Sequence, residues 1–151
     1  LINDYIYYFE KGLRANKIGI PAGVFSSTPL PSKVEGVYRE DVSRALALEA
    51  LQAVQDVFNG VAYNGNASGE SYKTYLETLN KSELVTLINS RFNTAEQKLQ
   101  SLDANLKSQI TTDNTKMTEA YDALQLAVVS LKVDMLQAFN VSVDYVDADG
   151  D

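Results

Sequence analysis

Residues 113–135 read DNTKMTEAYDALQLAVVSLKVDM, and their spacing decides the fold class. Met117, Tyr121, Leu124, Val128, Leu131 and Met135 step by 4, 3, 4, 3 and 4. That alternation draws a single apolar stripe along a helix, the pattern of a bundle seam. The helix that bears such a stripe cannot bury it alone, so it requires partners of the same kind.

Three further segments supply them. Upstream, Ile88, Phe92, Ala95, Leu99 and Leu102 continue to Leu106 and Ile110, which predicts a helix opening at Ser82 as N-cap. Ala47, Leu51, Val54 and Phe58 predict a helix over 43–59, capped by Asp41 or Ser43 and ended by Gly60 in the left-handed conformation. Ile2, Ile6, Phe9 and Leu13 predict a first helix over 2–17, with Glu10 and Arg14 as an i,i+4 pair on its outer side. Short helical pieces are expected near 34–40 and 72–79, and the fourth helix is expected to start near Asp113. The expectation is one all-α domain over 1–151, an up-down four-helix bundle with Leu99 and Leu124 in its interior. A short extended C-terminal segment follows, where Val141, Val143 and Tyr145 alternate with Ser142 and Asp144.

Composition narrows the function. A net charge of −7 without a Lys/Arg cluster argues against nucleic acid as a partner. No apolar run is long enough to predict a transmembrane segment. With no Cys there is no thiolate chemistry, and with no His the commonest general base and transition-metal ligand are missing. Carboxylate di-iron bundles need Glu-x-x-His motifs, and a haem ligand would have to be Met117 or Met135, both on the core stripe. The serines lack a His partner, and Glu40-Asp41 before a helix fits a dipole interaction better than catalysis. No catalytic residue is assigned. For metal, the only candidates are Asp147, Asp149 and Asp151, whose alternation suggests a calcium loop but lacks the sixth-position Gly and twelfth-position Glu of an EF-hand. Tyr5, Tyr7 and Tyr8 fall on both faces of the first helix, which would suit a partner domain packed against it.

The stretch 18–33 breaks the periodicity and holds Pro21, Pro29 and Pro31 together with Gly19 and Gly23. It reads as a long loop, and loops of this length are often functional. Gly19, Ile20, Pro21, Ala22 and Gly23 are the ligand-site candidates, since glycines allow close backbone approach and proline stiffens the turn. On that reading Gly23→Val acts on binding and leaves stability nearly unchanged. The alternative is that the loop caps the bundle, with Ile20 and Val24 plugged into its end.

Asn16-Lys17-Ile18-Gly19-Ile20-Pro21-Ala22-Gly23-Val24, then Val34-Glu35-Gly36-Val37-Tyr38 and Val57-Phe58-Asn59-Gly60, resembles the second half of imelysin-like proteins. The close of the chain, Ser130-Leu131-Lys132-Val133-Asp134-Met135 through Val141-Ser142-Val143 to Asp147-Ala148-Asp149-Gly150-Asp151, is similar to the end of the same family. The resemblance implies a bacterial cell-envelope protein, periplasmic or at the cell surface and often a lipoprotein. In it, two helical halves flank a groove that holds a metal or small ligand. The family name comes from a peptidase assignment, and relatives are linked to iron uptake. Its metal motif, Gly-x-His-x-x-Glu, belongs to the first half and matches no position here, so a divalent metal is expected only in the full-length protein. On this reading the chain is a C-terminal half whose partner is the missing N-terminal half. It is then either a non-catalytic binding and structural unit or half of a metallopeptidase site. A generic helical interaction module is the remaining alternative.

Overall fold

The computed structural model describes residues 1–36, 38–65 and 67–146. Four long helices and one short helix account for most of them, and no strand occurs among the described residues.

Helix α1 spans residues 2–22 in three registers. It is α-helical over Ile2–Tyr7, π-helical over Tyr8–Gly19 and α-helical again over Ile20–Ala22. The expected end near Lys17 is therefore too early, and residues 18–22 belong to the helix. Pro21 lies where the π register gives way to α, so the donor it lacks falls at a break in the hydrogen-bond ladder. Gly23 ends the helix at φ +82°.

Residues 24–42 carry short 3₁₀ turns at Pro31–Lys33 and Glu40–Val42. Helix α2 then runs Ser43–Asn59 and stops at Gly60 (φ +73°), as expected. Its cap differs from expectation. Val42 holds the cap position without a side-chain bond, and Ser43 serves another purpose. The Ser43 hydroxyl lies 2.9 Å from Glu40 O and 3.2 Å from Ala104 O, and it accepts the Leu106 N–H at 2.9 Å. It thus ties the start of α2 to the turn between the next two long helices.

Helix α3, Tyr72–Thr78, is short and carries a reciprocal capping box between Ser71 and Thr74. Helix α4 is Ser82–Gln100, with Ser82 already its first helical residue and Lys81 at the cap. The apolar pattern that runs on to Ile110 is interrupted at 101–105, where Asn105 accepts the N–H groups of Lys107 and Ser108 and starts a new helix. Helix α5 covers residues 106–139: α-helical over Leu106–Val129, π-helical over Ser130–Met135 and α-helical over Leu136–Phe139. Extended backbone at Asp113 (φ −157°, ψ 90°) kinks it at the position where sequence predicted a helix start. Leu106 and Ile110 thus fall before the kink on α5, on the far side of the turn from α4.

Cross-links set the topology. Arg44 at the start of α2 reaches Leu102 O just past the end of α4, while Asn59 at the end of α2 bonds Asn89. Lys98 pairs with Glu119 at 2.8 Å, and Arg91 donates to Leu126 O at 2.9 Å. Glu10 meets Lys132, and Ala22 O accepts from Asn114. Each neighbouring pair is antiparallel, giving an up-down four-helix bundle of α1, α2, α4 and α5, with α3 packed on α2 and α4. Leu99, Leu124, Met117 and Met135 are fully buried in it. Residues 141–146 follow left-handed Asn140 as a segment without regular structure, bent at Tyr145, and no strand pairs with it among the described residues.

Candidate functional site

The most unusual chemistry lies on the seam between α1 and α5. Glu10 and Arg14, expected on the outside of the first helix, are 1% and 0% exposed. The π register explains the error: each turn takes an extra residue, which rotates Glu10 and Arg14 inward relative to a 3.6-residue repeat. Ser130–Met135 of α5, π-helical as well, lies opposite and supplies Lys132. π-helical segments are rare and frequently fall at functional sites.

The Glu10 carboxylate is enclosed by donors. Lys132 Nζ lies 3.2 Å from Oε1 and 3.1 Å from Oε2, Tyr145 Oη donates to Oε2 at 2.9 Å, and Arg14 Nη2 lies 3.5 Å from Oε1. Arg14 also donates to Gln125 Oε1 and stacks over the Tyr121 ring, 5.3 Å from its centroid. Lys132 stands 5.3 Å from the centroid of Tyr145, and Tyr7 meets that ring edge-on at 5.1 Å. The cluster unites α1, α5 and the non-helical segment 141–146. A carboxylate with two cations can survive burial because each charge is paired and hydrogen-bonded.

The phenols respond to this interior. Burial first, then the hydrogen bond to Glu10 and the carboxylate's charge, holds the Tyr145 hydroxyl well above its usual range. Burial, with a smaller contribution from Tyr72, does the same for Tyr5, whose hydroxyl donates to Val54 O at 2.9 Å. Above a pH of about 10, unfolded phenols lose protons that the native state still binds, so alkali favours unfolding. The stabilisation is complete below about pH 10 and drains away as pH rises further. Urea midpoints are expected to fall steadily from about pH 10 to about pH 11.5, and Tyr145→Phe should make that decline shallower. A midpoint flat across this range would show that neither phenol is protected.

The sequence-derived candidates sit at the other end of α1. Gly19, Pro21 and Ala22 are buried, while Ile20 and Gly23 are half-buried. A Cβ on Gly19 would come within 2.7 Å of Phe25 and 2.8 Å of Tyr121. One on Gly23 would come within 2.7 Å of the Thr28 and Pro29 backbone. Leu30 N–H bonds Pro21 O at 2.8 Å. These residues are thus the last helical turn and its closure, packed against their own chain. Val24 is exposed, so Pro21 and Ala22, rather than Ile20 and Val24, fill the bundle's end. The expectation that Gly23→Val spares stability is corrected by this geometry. A β-branched residue at φ +82° carries about 1–2 kcal/mol of strain, and displacing the 28–29 backbone adds to it. A loss of about 2–3 kcal/mol is expected in denaturant melts, and a change under about 0.5 kcal/mol would mean the loop yields freely.

Elsewhere the geometry is structural. Glu40 pairs with Lys107 at 2.9 Å and accepts from Asn105, while Asp41 pairs with Arg39 at 3.1 Å. A shallow hollow of about 650 Å³ between α3 and α4 is lined chiefly by neutral groups such as Asn89, Asn93, Thr94 and Gln97. Asp147, Asp149 and Asp151 lie outside the described residues. Among the described residues no group of three or more acidic side chains converges as a metal site would require, and no helix is long and apolar enough to cross a membrane. Compared with known proteins, the chain matches no family model, no curated protein and no solved structure.

Proposed function

We propose that this chain is the C-terminal bundle of an imelysin-like cell-envelope protein and acts there as a binding and structural half linked to metal uptake, without hydrolytic chemistry of its own. The observation that carries the reading is an unpaired apolar strip on α5. Leu126 and Val133 are each 53% exposed, with Val129 between them, on the outer side of the same helix whose inner face builds the core. A strip of this kind is where a second helical body packs. The missing N-terminal half is the proposed occupant, and the groove between the halves is the proposed place of the metal or small ligand.

The strip gives the experiment. In a protein that includes the upstream half, Leu126→Asp with Val133→Asp should separate the halves and weaken metal retention, leaving the melting of this bundle unaltered. Wild-type association in that variant would remove the reading's support. The bundle by itself, with neither His nor Cys, should bind zinc and iron(II) no more tightly than micromolar in calorimetric titration. Sub-micromolar affinity for either ion would place the metal chemistry in this half and overturn the assignment.

A further inference from the structure

The non-helical segment 141–146 is held to the bundle in an unusual way. It joins no sheet, and among the described residues its backbone bonds at two places: Val141 N–H to Leu136 O at 3.0 Å, and Ser142 O from Asn3 Nδ2 at 3.2 Å. Val141, Val143 and Val146 all lie exposed rather than seated. Among the described residues of the segment, Tyr145 is the side chain that reaches into the bundle. Tyr145 places its hydroxyl on Glu10, its ring face by Lys132 and its ring in a T-shaped pair with Tyr7.

The receiving side is fixed independently of the segment. Glu10 is carried by the π-helical stretch of α1 and Lys132 by that of α5, and the two pair directly. Arg14 braces the same carboxylate from one turn away. If the segment lifts, Glu10 Oε2 loses one donor while its carboxylate, the ammonium and the Tyr7 ring stay in place. Those three groups select a particular chemistry. The carboxylate takes a hydrogen-bond donor, the ammonium takes an aromatic face, and the Tyr7 ring takes a second ring in T-shaped contact. Together they specify an aromatic ring bearing a hydroxyl.

We infer that the α1–α5 seam is a phenol-accepting site, formed by Glu10, Lys132 and Tyr7, which the chain's own Tyr145 occupies as a detachable latch. The inference stands apart from the envelope-protein reading, because every group in it belongs to this chain. It makes the C-terminal segment a reversible cover and Tyr145 its anchor.

Chemical complementation of the full chain tests it. Tyr145→Ala vacates the site, and p-cresol should then bind saturably, shifting the amide resonances of Tyr7, Glu10 and Lys132. Toluene, which lacks the hydroxyl, should bind at least about tenfold more weakly, the worth of a hydrogen bond to a charged group. Wild type should bind neither. A folded Tyr145→Ala chain that ignores p-cresol, or that takes both compounds equally, overturns the site. An unfolded one overturns the latch, since the segment would then be integral to the bundle. Tyr145→Phe supplies a second measurement. Backbone NMR order parameters over 141–146 should fall clearly while those of α1 and α5 stay as before. Unchanged order parameters in the segment, or an equal fall throughout both helices, would refute the latch.

Discussion

Glu10→Ala is expected to cost the domain about 3–5 kcal/mol, the usual penalty for removing one partner from a buried ionic cluster. Glu10 is 1% exposed, Arg14 0% and Lys132 16%. Taking away the carboxylate removes the anion that both cations contact in the interior, and the penalty comes chiefly from that lost charge compensation. Arg14 retains Gln125 and the Tyr121 ring, and Lys132 retains the Tyr145 ring, but neither contact is anionic. Lys132 can relieve itself by extending its stem toward water. Arg14 has no such exit, so most of the cost belongs to it. A compensating change makes the claim sharper. Glu10→Leu combined with Arg14→Met exchanges the buried ions for apolar volume and should recover much of the loss, since such clusters contribute little net stability when replaced whole. Urea melts of the single and double variants measure both effects. A single-variant loss under about 1 kcal/mol, or a double variant worse than the single, would show that water already screens the cluster.

The same two residues show where sequence reasoning stops. The bundle was legible because its stripes obey a 3.5-residue repeat over several turns, as α2, α4 and the middle of α5 do. Ser43–Asn59 and its left-handed Gly60 follow directly from that repeat and a terminal glycine. The site was not legible, because the π-helical stretch of α1 departs from the repeat that phase assignment assumes, while on α5 Leu131 and Met135 keep the stripe and give no sign of Lys132 beside them. A trace of the change does exist in the chain. From Leu13 the next fully buried apolar side chain on the core side is Ile18, a step of five, which a strict helical template reads as the helix having ended. That misreading turned the last turn of α1 into a loop and promoted Gly19 and Gly23 to ligand candidates. In the fold Phe25 and Tyr121 fill the space over Gly19, and the 28–29 backbone fills the space over Gly23. The contribution of Tyr145 was out of reach for another reason. Its partner lies 135 positions away, and an alternating apolar pattern predicts extension without naming what an extended segment rests on.

Phe92→Ala is the second large effect, expected at about 3–5 kcal/mol. Phe92 is fully buried on α4 and joins three helices. Its centroid lies 5.9 Å from Phe9 of α1 in a tilted pair and 5.6 Å from Phe58 of α2 in an edge-on pair. Each aromatic pair contributes about 0.5–1.5 kcal/mol beyond area burial, and alanine removes both while leaving a cavity between rings that cannot close on it. The neighbours are constrained in different ways. Phe58 stands one residue before the end of α2, where the chain turns at Gly60, and Phe9 sits in the π register beside Glu10. Movement of Phe9 toward the void would drag Glu10 away from Lys132, so collapse is opposed by the charge cluster and the cavity term stays near its full size. Phe92→Leu separates the contributions. It keeps most of the volume and loses the ring pairing, so its loss should fall well below that of alanine, at about 1–2 kcal/mol. Equal losses for leucine and alanine would locate the energy in ring geometry alone, and a loss below about 1 kcal/mol for alanine would mean that α1 is free to shift, contrary to its being pinned through Glu10.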